Sequence, residues 1–318
     1  MLYGCYQFRC RFADEAILPF YKGSTFRGVF GHALKRVVCV LKQQECETCP
    51  LKARCIYAIV FETPVAIEMP EGARISNPPH PFVMEPPLTE KREYEKEEPF
   101  GCTLLLFGGV NNNLPHFVYA FDQMGKIGIG KKVKGRRARF RLEEVRNKAA
   151  VLYSAKDQQL KQNNAFEELK LSGADVLNDG KTRAVKRIKV TLETPLRLKF
   201  KNRLNSAELP FHVLVRAMLR RISSLFNTWD DGEPCLDYQG LVRRAEEVGV
   251  VKNSLSWFDW QRYSNRHERK MLMGGMVGSI VYEGRLGEFL PLLNICSKVH
   301  LGKNTSFGLG KIIMRVTA

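Results

Sequence analysis

Acidic side chains are in short supply in this chain of 318 residues. Asp and Glu number 33 against 50 Lys and Arg, which leaves a formal charge of +17. An excess of that size points to a polyanionic partner, nucleic acid before anionic lipid. The sequence offers no basic amphipathic helix of the interfacial kind that lipid binding would use. The acids that are present form no cluster suited to two-metal hydrolysis. Long apolar runs are missing too, and none is long enough to span a bilayer, so no membrane partner is expected. No secretory signal opens the chain, so a reducing cytoplasm is the expected compartment and disulfides are disfavoured among its nine cysteines. The apolar fraction, 44%, is ordinary for a globular protein. The length supports two modest domains, each with its own core.

What is present is concentrated first between Ser24 and Cys55. Phe26, Val29, Phe30, Ala33, Leu34, Val37, Val40 and Leu41 fall on one stripe at helical spacing, with Ser24 as the expected N-cap. His32 lies off that stripe on a polar face with Gly28, Lys35, Arg36 and Cys39. Glycine costs a helix about 1 kcal/mol each, so Gly28 and Gly31 beside His32 need a reason. Approach of a nucleic-acid strand is one, and tight helix–sheet packing is the other. Next, Cys39, Cys46, Cys49 and Cys55 follow a C-x6-C-x2-C-x5-C spacing. Four such thiolates can enclose a structural zinc, ahead of an iron–sulfur cluster; two disulfides or four idle thiols are the alternatives. A shell of four thiolates is closed and leaves no position for catalysis. His32 stands outside it, since seven helical residues place Cys39 about 10 Å further along the axis.

Residues 2–12 alternate as a strand with Arg9 and Arg11 on the outer face. The apolar run Ile56–Phe61 is expected to be extended, residues 64–100 a charged, proline-rich loop, Pro81–Glu85 and Thr103–Val110 strands, and Leu114–Met124 a helix. Between Gly125 and Arg146, glycines alternate with Lys126, Lys131, Lys132, Lys134, Arg136, Arg137, Arg139 and Arg141. Such a loop turns backbone N–H groups and cations toward phosphate, or is simply a solvated hairpin. It lacks the order of a nucleotide P-loop. After a connecting segment at 147–185, the plan repeats. Lys186–Leu198, Met271–Tyr282 and Ile312–Val316 are expected strands, and Pro210–Trp229 and Leu286–Cys296 expected helices. Leu114-Pro115 followed by Gly128-Ile129-Gly130-Lys131 is mirrored by Leu290-Pro291 followed by Gly308-Leu309-Gly310-Lys311. The expected class is α+β: two ferredoxin-like domains, 1–146 and 186–318, with the cysteine knuckle inserted after the first helix.

The segments FRGVFGHALKRVVC, CPLKARC, WFDWQRYSNRH, MGGMVGSIVYEG and HLGKNTSFGLGK, in that order, resemble the CRISPR repeat-processing endoribonucleases of the RAMP superfamily. The resemblance implies tandem ferredoxin-like domains across a basic cleft, binding of CRISPR precursor RNA, and one metal-independent cut within each repeat. It matches the glycine-rich loop 302–310 to the signature loop of the superfamily, and it adds Arg262, Arg266, Lys303 and Lys311 as RNA contacts. His32 is the expected catalytic residue, with Lys35 or Arg36 stabilising charge and Tyr21 or Lys22 completing the site; His300, beside the glycine-rich loop, is the reserve. The imidazole suits one proton transfer in attack of a 2′-OH on the adjacent phosphate, which leaves a 2′,3′-cyclic phosphate and a 5′-OH. Two other readings stand beside this one. A non-cleaving RAMP subunit would hold guide RNA within a CRISPR effector complex. A zinc-stabilised DNA-binding protein would account for the charge and the cysteines but not for the doubled GxGK architecture.

Overall fold

A computed structural model describes residues 1–42, 44–69, 77–161, 166–173, 185–198, 207–264 and 269–317, the backbone alone for 261–264 and 269–272. The chain divides into two compact units, Met1–Glu168 with Thr228–Asp230, and Leu169–Asn227 with Asp231–Ala318. Among the described residues no helix is long and apolar enough to cross a membrane.

The first unit is built on β1 (Leu2–Phe12), whose alternation buries Tyr6, Phe8, Cys10 and Phe12 on one side. After β2 (Ala16–Ile17) come helices α1 (Gly23–Val38), α2 (Ile56–Phe61) and α3 (Thr63–Ala66), then β3 (Phe82–Glu85), β4 (Glu93–Tyr94) and β5 (Pro99–Phe107). Helix α4 (Leu114–Ile127) leads into β6 (Ile129–Val133), β7 (Arg136–Ala138), β8 (Phe140–Arg146), β9 (Val151–Ser154) and β10 (Phe166–Glu168). The main sheet runs β3-β5-β1-β8-β9, with β10 also on β1, and every pairing is antiparallel. Helices α1 and α4 share a core of rings with the sheet. Phe121 lies 4.4 Å from Phe8 and 6.1 Å from Phe30, and Phe26 meets Phe100 edge-on at 5.9 Å.

The start of α1 differs from expectation. Its N-cap is Lys22, without a side-chain cap; Ser24 lies inside the first turn, its hydroxyl buried and unpartnered. The buried Lys22 ammonium donates to the carbonyls of Phe20 (3.2 Å) and Thr89 (2.6 Å), tying the 64–100 segment to the start of the helix. The helix ends at Val38, so Val40, expected on the apolar stripe, is 78% exposed. Ile56–Phe61 is helical, not extended. A six-residue apolar run carries no readable period, and the neighbours decide. Tyr57 stacks on Phe61 one turn away, and Phe61 reaches Phe82 at 5.0 Å. A Cβ on Gly31 would come within 2.6 Å of the Phe61 ring, so Gly31 serves tight packing, whereas Gly28 faces open space. Within the expected connecting segment, β9 and β10 add to the sheet rather than merely connecting.

The second unit comprises β11 (Arg187–Leu196), most of α5 (Phe211–Trp229), α6 (Tyr238–Ala245), β12 (Gly249–Phe258), β13 (Gln261–Ser264), β14 (Arg269–Leu272), β15 (Gly275–Glu283), α7 (Leu290–Val299) and β16 (Ile312–Thr317). Helix α6, absent from the sequence reading, is capped by Asp237, which accepts from the Gly240 N–H at 2.9 Å. The sheet order is β12-β15-β11-β16. Counted along each chain segment, β1, β3, β5 and β8 and then β11, β12, β15 and β16 share one order, second-third-first-fourth. Both units therefore repeat strand–helix–strand–strand–helix–strand in mixed α/β form with antiparallel sheets.

Candidate functional site

The first unit forms a recess of about 650 Å³ between the exposed face of α1, the end of α4 and the β6–β7 hairpin. His32, Lys126, Lys132, Arg136, Arg137 and Arg139 line it, and its lining contains no carboxylate. His32 is solvent-exposed because its position falls opposite Phe30, Ala33 and Leu34, which are fully buried. The hairpin is short because Lys134 (φ 50°) and Gly135 (φ 79°) form the two-residue turn between Val133 and Arg136. Both residues at positive φ is the turn geometry that matches strand twist. Gly128 and Gly130 also sit at positive φ, against the Arg137 and Ala138 carbonyls and the Ile17 carbonyl respectively. These glycines let the hairpin lie flat on its neighbours.

The cations are not equivalent. Lys126 pairs with Asp122 at 2.8 Å. Arg139 is held by Asp14, which accepts from its backbone N–H (3.1 Å), Nε (3.0 Å) and Nη2 (3.3 Å). Lys132, Arg136 and Arg137 are exposed and make no ion pair among the described residues, which leaves them available to phosphate. Hydrogen bonds from Arg139 hold the Asp14 carboxyl below the usual range. The contribution of Asp14 to the hairpin foot is therefore fully present above ordinary carboxylate pH and is lost as pH falls through the depressed value. Asp14→Asn should abolish that acid-side loosening; hydrogen exchange of the hairpin amides at about pH 3 and pH 6 reads it, and an unchanged pH response would refute it.

A family model described as an N-terminal domain matches residues 1–165, and that of the CRISPR-associated endoribonuclease Cas6 matches residues 190–312. Residues 1–165 thus belong to that N-terminal-domain family, and residues 190–312 match the Cas6 family. An uncharacterized protein of Archaeoglobus fulgidus is 24% identical over 305 residues, 92% of this chain and 91% of that one. Among solved structures, a partial Cas6-RT-Cas1–Cas2 complex matches with TM-score 0.57 and 12% identity over 99% of this chain, which spans 46% of that one. Thermus thermophilus Cas6 matches with TM-score 0.53 and 11% identity over 99% and 98% of the two chains. At these identities the structures establish a shared fold.

Other residues singled out from the sequence lie elsewhere. Of His32, Arg36, Lys35 and Tyr21, only His32 lines the recess. Arg36 is exposed one turn further along α1, and the Lys35 ammonium sits 5.4 Å above the Tyr57 ring. Burial, reinforced by Glu85, pushes the Tyr21 hydroxyl well above its usual pKa. Burial lowers the Lys22 pKa, but both carbonyl partners make it a structural tie. His300 is fully buried, with Nδ1 at 2.9 Å from the Leu309 carbonyl. Buried Arg221, its pKa lowered to about 10 by burial, donates to the Val299 and His300 carbonyls and fixes the entry to the glycine-rich loop. Lys131 and Lys134 are exposed on the hairpin but outside the lining, and Lys303 and Lys311 belong to the second unit. The side chain of Arg262 and the whole of Arg266 lie outside the described residues.

Cys46 opens a 3-10 turn, and the Cys49 N–H donates to its carbonyl at 3.3 Å. The Cys46 thiol is pushed up by burial, with smaller contributions from Glu62, Cys55 and Cys39. Among the described residues, however, no three His, Cys, Asp or Glu side chains converge into a metal-holding group. A four-thiolate zinc site at Cys39, Cys46, Cys49 and Cys55 is thus not supported by this arrangement.

Proposed function

We propose that the chain is an endoribonuclease that binds CRISPR precursor RNA and cleaves it within each repeat. One observation carries the reading: an exposed imidazole, His32, opens onto the same recess as the unpaired cations Lys132, Arg136 and Arg137. The nucleophile is the RNA's own 2′-OH. It attacks the adjacent phosphorus, its proton is taken up, and the 5′-oxygen leaves with a proton, giving a 2′,3′-cyclic phosphate and a 5′-OH. His32 performs one of these proton transfers, and the three cations stabilise the charge that develops on the phosphorane oxygens. A lining without carboxylates offers no ligand set for a divalent ion, which supports a metal-independent route. The two strand–helix–strand–strand–helix–strand units support a tandem ferredoxin-like architecture. The Cas6 match of residues 190–312 and the Cas6-RT-Cas1–Cas2 neighbour support CRISPR RNA and CRISPR complex proteins as partners.

A repeat RNA carrying one 2′-deoxy nucleotide at the cut tests the reading. The protein should bind it as it binds the all-ribose RNA and leave it whole, while the all-ribose RNA is cut in EDTA with a cyclic phosphate at the new 3′ end. Cleavage of the deoxy RNA would refute 2′-OH attack. Binding without cleavage of either RNA would assign the chain to the guide-holding class.

A further inference from the structure

We propose that Arg139, positioned by Asp14, reads a guanine of the RNA in the His32 recess through the N7 and O6 of the base. This inference rests on the RNA-cleaving reading of that recess.

Arg139 lies between β7 and β8, at the foot of the hairpin. Hydrogen bonds fix it to the two residues that follow β1. The Ala13 N–H donates to its carbonyl at 2.9 Å, and its own N–H donates to Asp14 Oδ2 at 3.1 Å. Its Nε and Nη2 donate to Oδ2 and Oδ1 of the same carboxylate at 3.0 and 3.3 Å. A guanidinium is planar and carries its N–H donors in a fixed fork. Asp14 takes the side of the fork formed by Nε and Nη2, which leaves the end formed by Nη1 and Nη2. Nη1 has no acceptor among the described residues. Arg139 lines the recess whereas Asp14 does not, so the guanidinium stands between its carboxylate and the recess. The side chain is 61% exposed, so the fork is held without being covered.

Two properties set this cation apart from Lys132, Arg136 and Arg137. The first is charge. The adjacent carboxylate offsets its attraction for phosphate, an attraction that the three unpaired cations keep in full. The second is order. A guanidinium already fixed at backbone and side chain loses little further freedom when it makes a bidentate contact. A neutral base gains less from charge than from two donors held in parallel. Guanine presents N7 and O6 as adjacent acceptors, the pair that arginine contacts bidentately. Adenine puts an amine, itself a donor, where guanine has O6, and pyrimidines lack N7. Bases of single-stranded RNA are splayed out and read on such edges. A recess of about 650 Å³ is ample for one.

The test measures equilibrium binding of the 2′-deoxy repeat RNA, so that its outcome is independent of cutting. Each nucleotide around the cut is set in turn to guanine, 7-deazaguanine or adenine. The deaza base keeps O6 and the pairing edge and loses only the N7 acceptor. At one position wild type should bind guanine about tenfold more tightly than either of the others. Arg139→Lys keeps the charge and loses the fork. It should cut that preference to under about threefold, with the 7-deazaguanine RNA bound as before. Asp14→Asn turns an amide N–H₂ toward one arm of the fork and should diminish the preference as well. Because the preference is a ratio within one preparation, partial unfolding of a variant cancels from it. A wild type indifferent to 7-deazaguanine at every position would overturn the proposal. So would an undiminished preference in Arg139→Lys, or equal weakening of all three RNAs, the mark of a phosphate contact or a structural role. If His32→Ala still blocks cutting of the all-ribose RNA in that case, the cleavage reading survives alone. Guanine preference without cutting of the all-ribose RNA would sink the cleavage reading and leave the base reading standing.

Discussion

His32→Ala should slow single-turnover cleavage of the repeat RNA by about 10²–10⁴, the usual effect of removing one general acid or base. Affinity should change by less than about threefold, because phosphate contacts made elsewhere hold the RNA. The size of the effect follows from geometry. His32 is exposed on α1 and shares its recess with the hairpin cations. Two other groups considered for the site have structural duties: Lys22 is tied to two carbonyls, and His300 is fully buried. Removing an exposed side chain leaves no cavity in the core, so the substitution reports on chemistry rather than on folding. Rates within a few-fold of wild type would remove His32 from catalysis, and circular dichroism of the variant guards the comparison.

Lys132→Ala/Arg136→Ala/Arg137→Ala should weaken RNA binding on the order of 10² at about 0.1 M salt. Each phosphate contact to a single strand contributes about 0.7 to the slope of log K against log salt. Losing three contacts makes the slope shallower by about 2, which at about 0.1 M corresponds to about 10²-fold in K. The choice of residues comes from ion pairing. Lys126 and Arg139 line the same recess but are engaged by Asp122 and Asp14, so Lys126→Ala alone should do less. A triple variant with an unchanged slope would place the RNA path away from the hairpin. Equal loss from Lys126→Ala alone would show that ion pairing does not decide which cations bind.

Much of the frame was legible along the chain. The alternation in residues 2–12 marked β1, Pro115 in the first turn marked α4, and the doubled GxGK pattern marked the repeat that both sheets share. These signals are local: period two, period 3.6 and glycine at forced φ are properties of the backbone itself. Other features were not local. Ile56–Phe61 became helical because Phe61 fills the gap over Gly31, and β2 and β4 exist only as each other's partners. Helix α6 is short and charged, with only its Asp237 cap to announce it.

The site divides along the same line. By itself the sequence determined that His32 faces away from the core and that the hairpin is glycine-rich and cationic, because both facts follow from spacing and composition. Only the tertiary structure decided which cations meet His32 and which are spent on Asp14 and Asp122, because those partners are identified by distance and not by position along the chain. Side-chain direction is a local property, but electrostatic partnership depends on distances that chain folding alone sets.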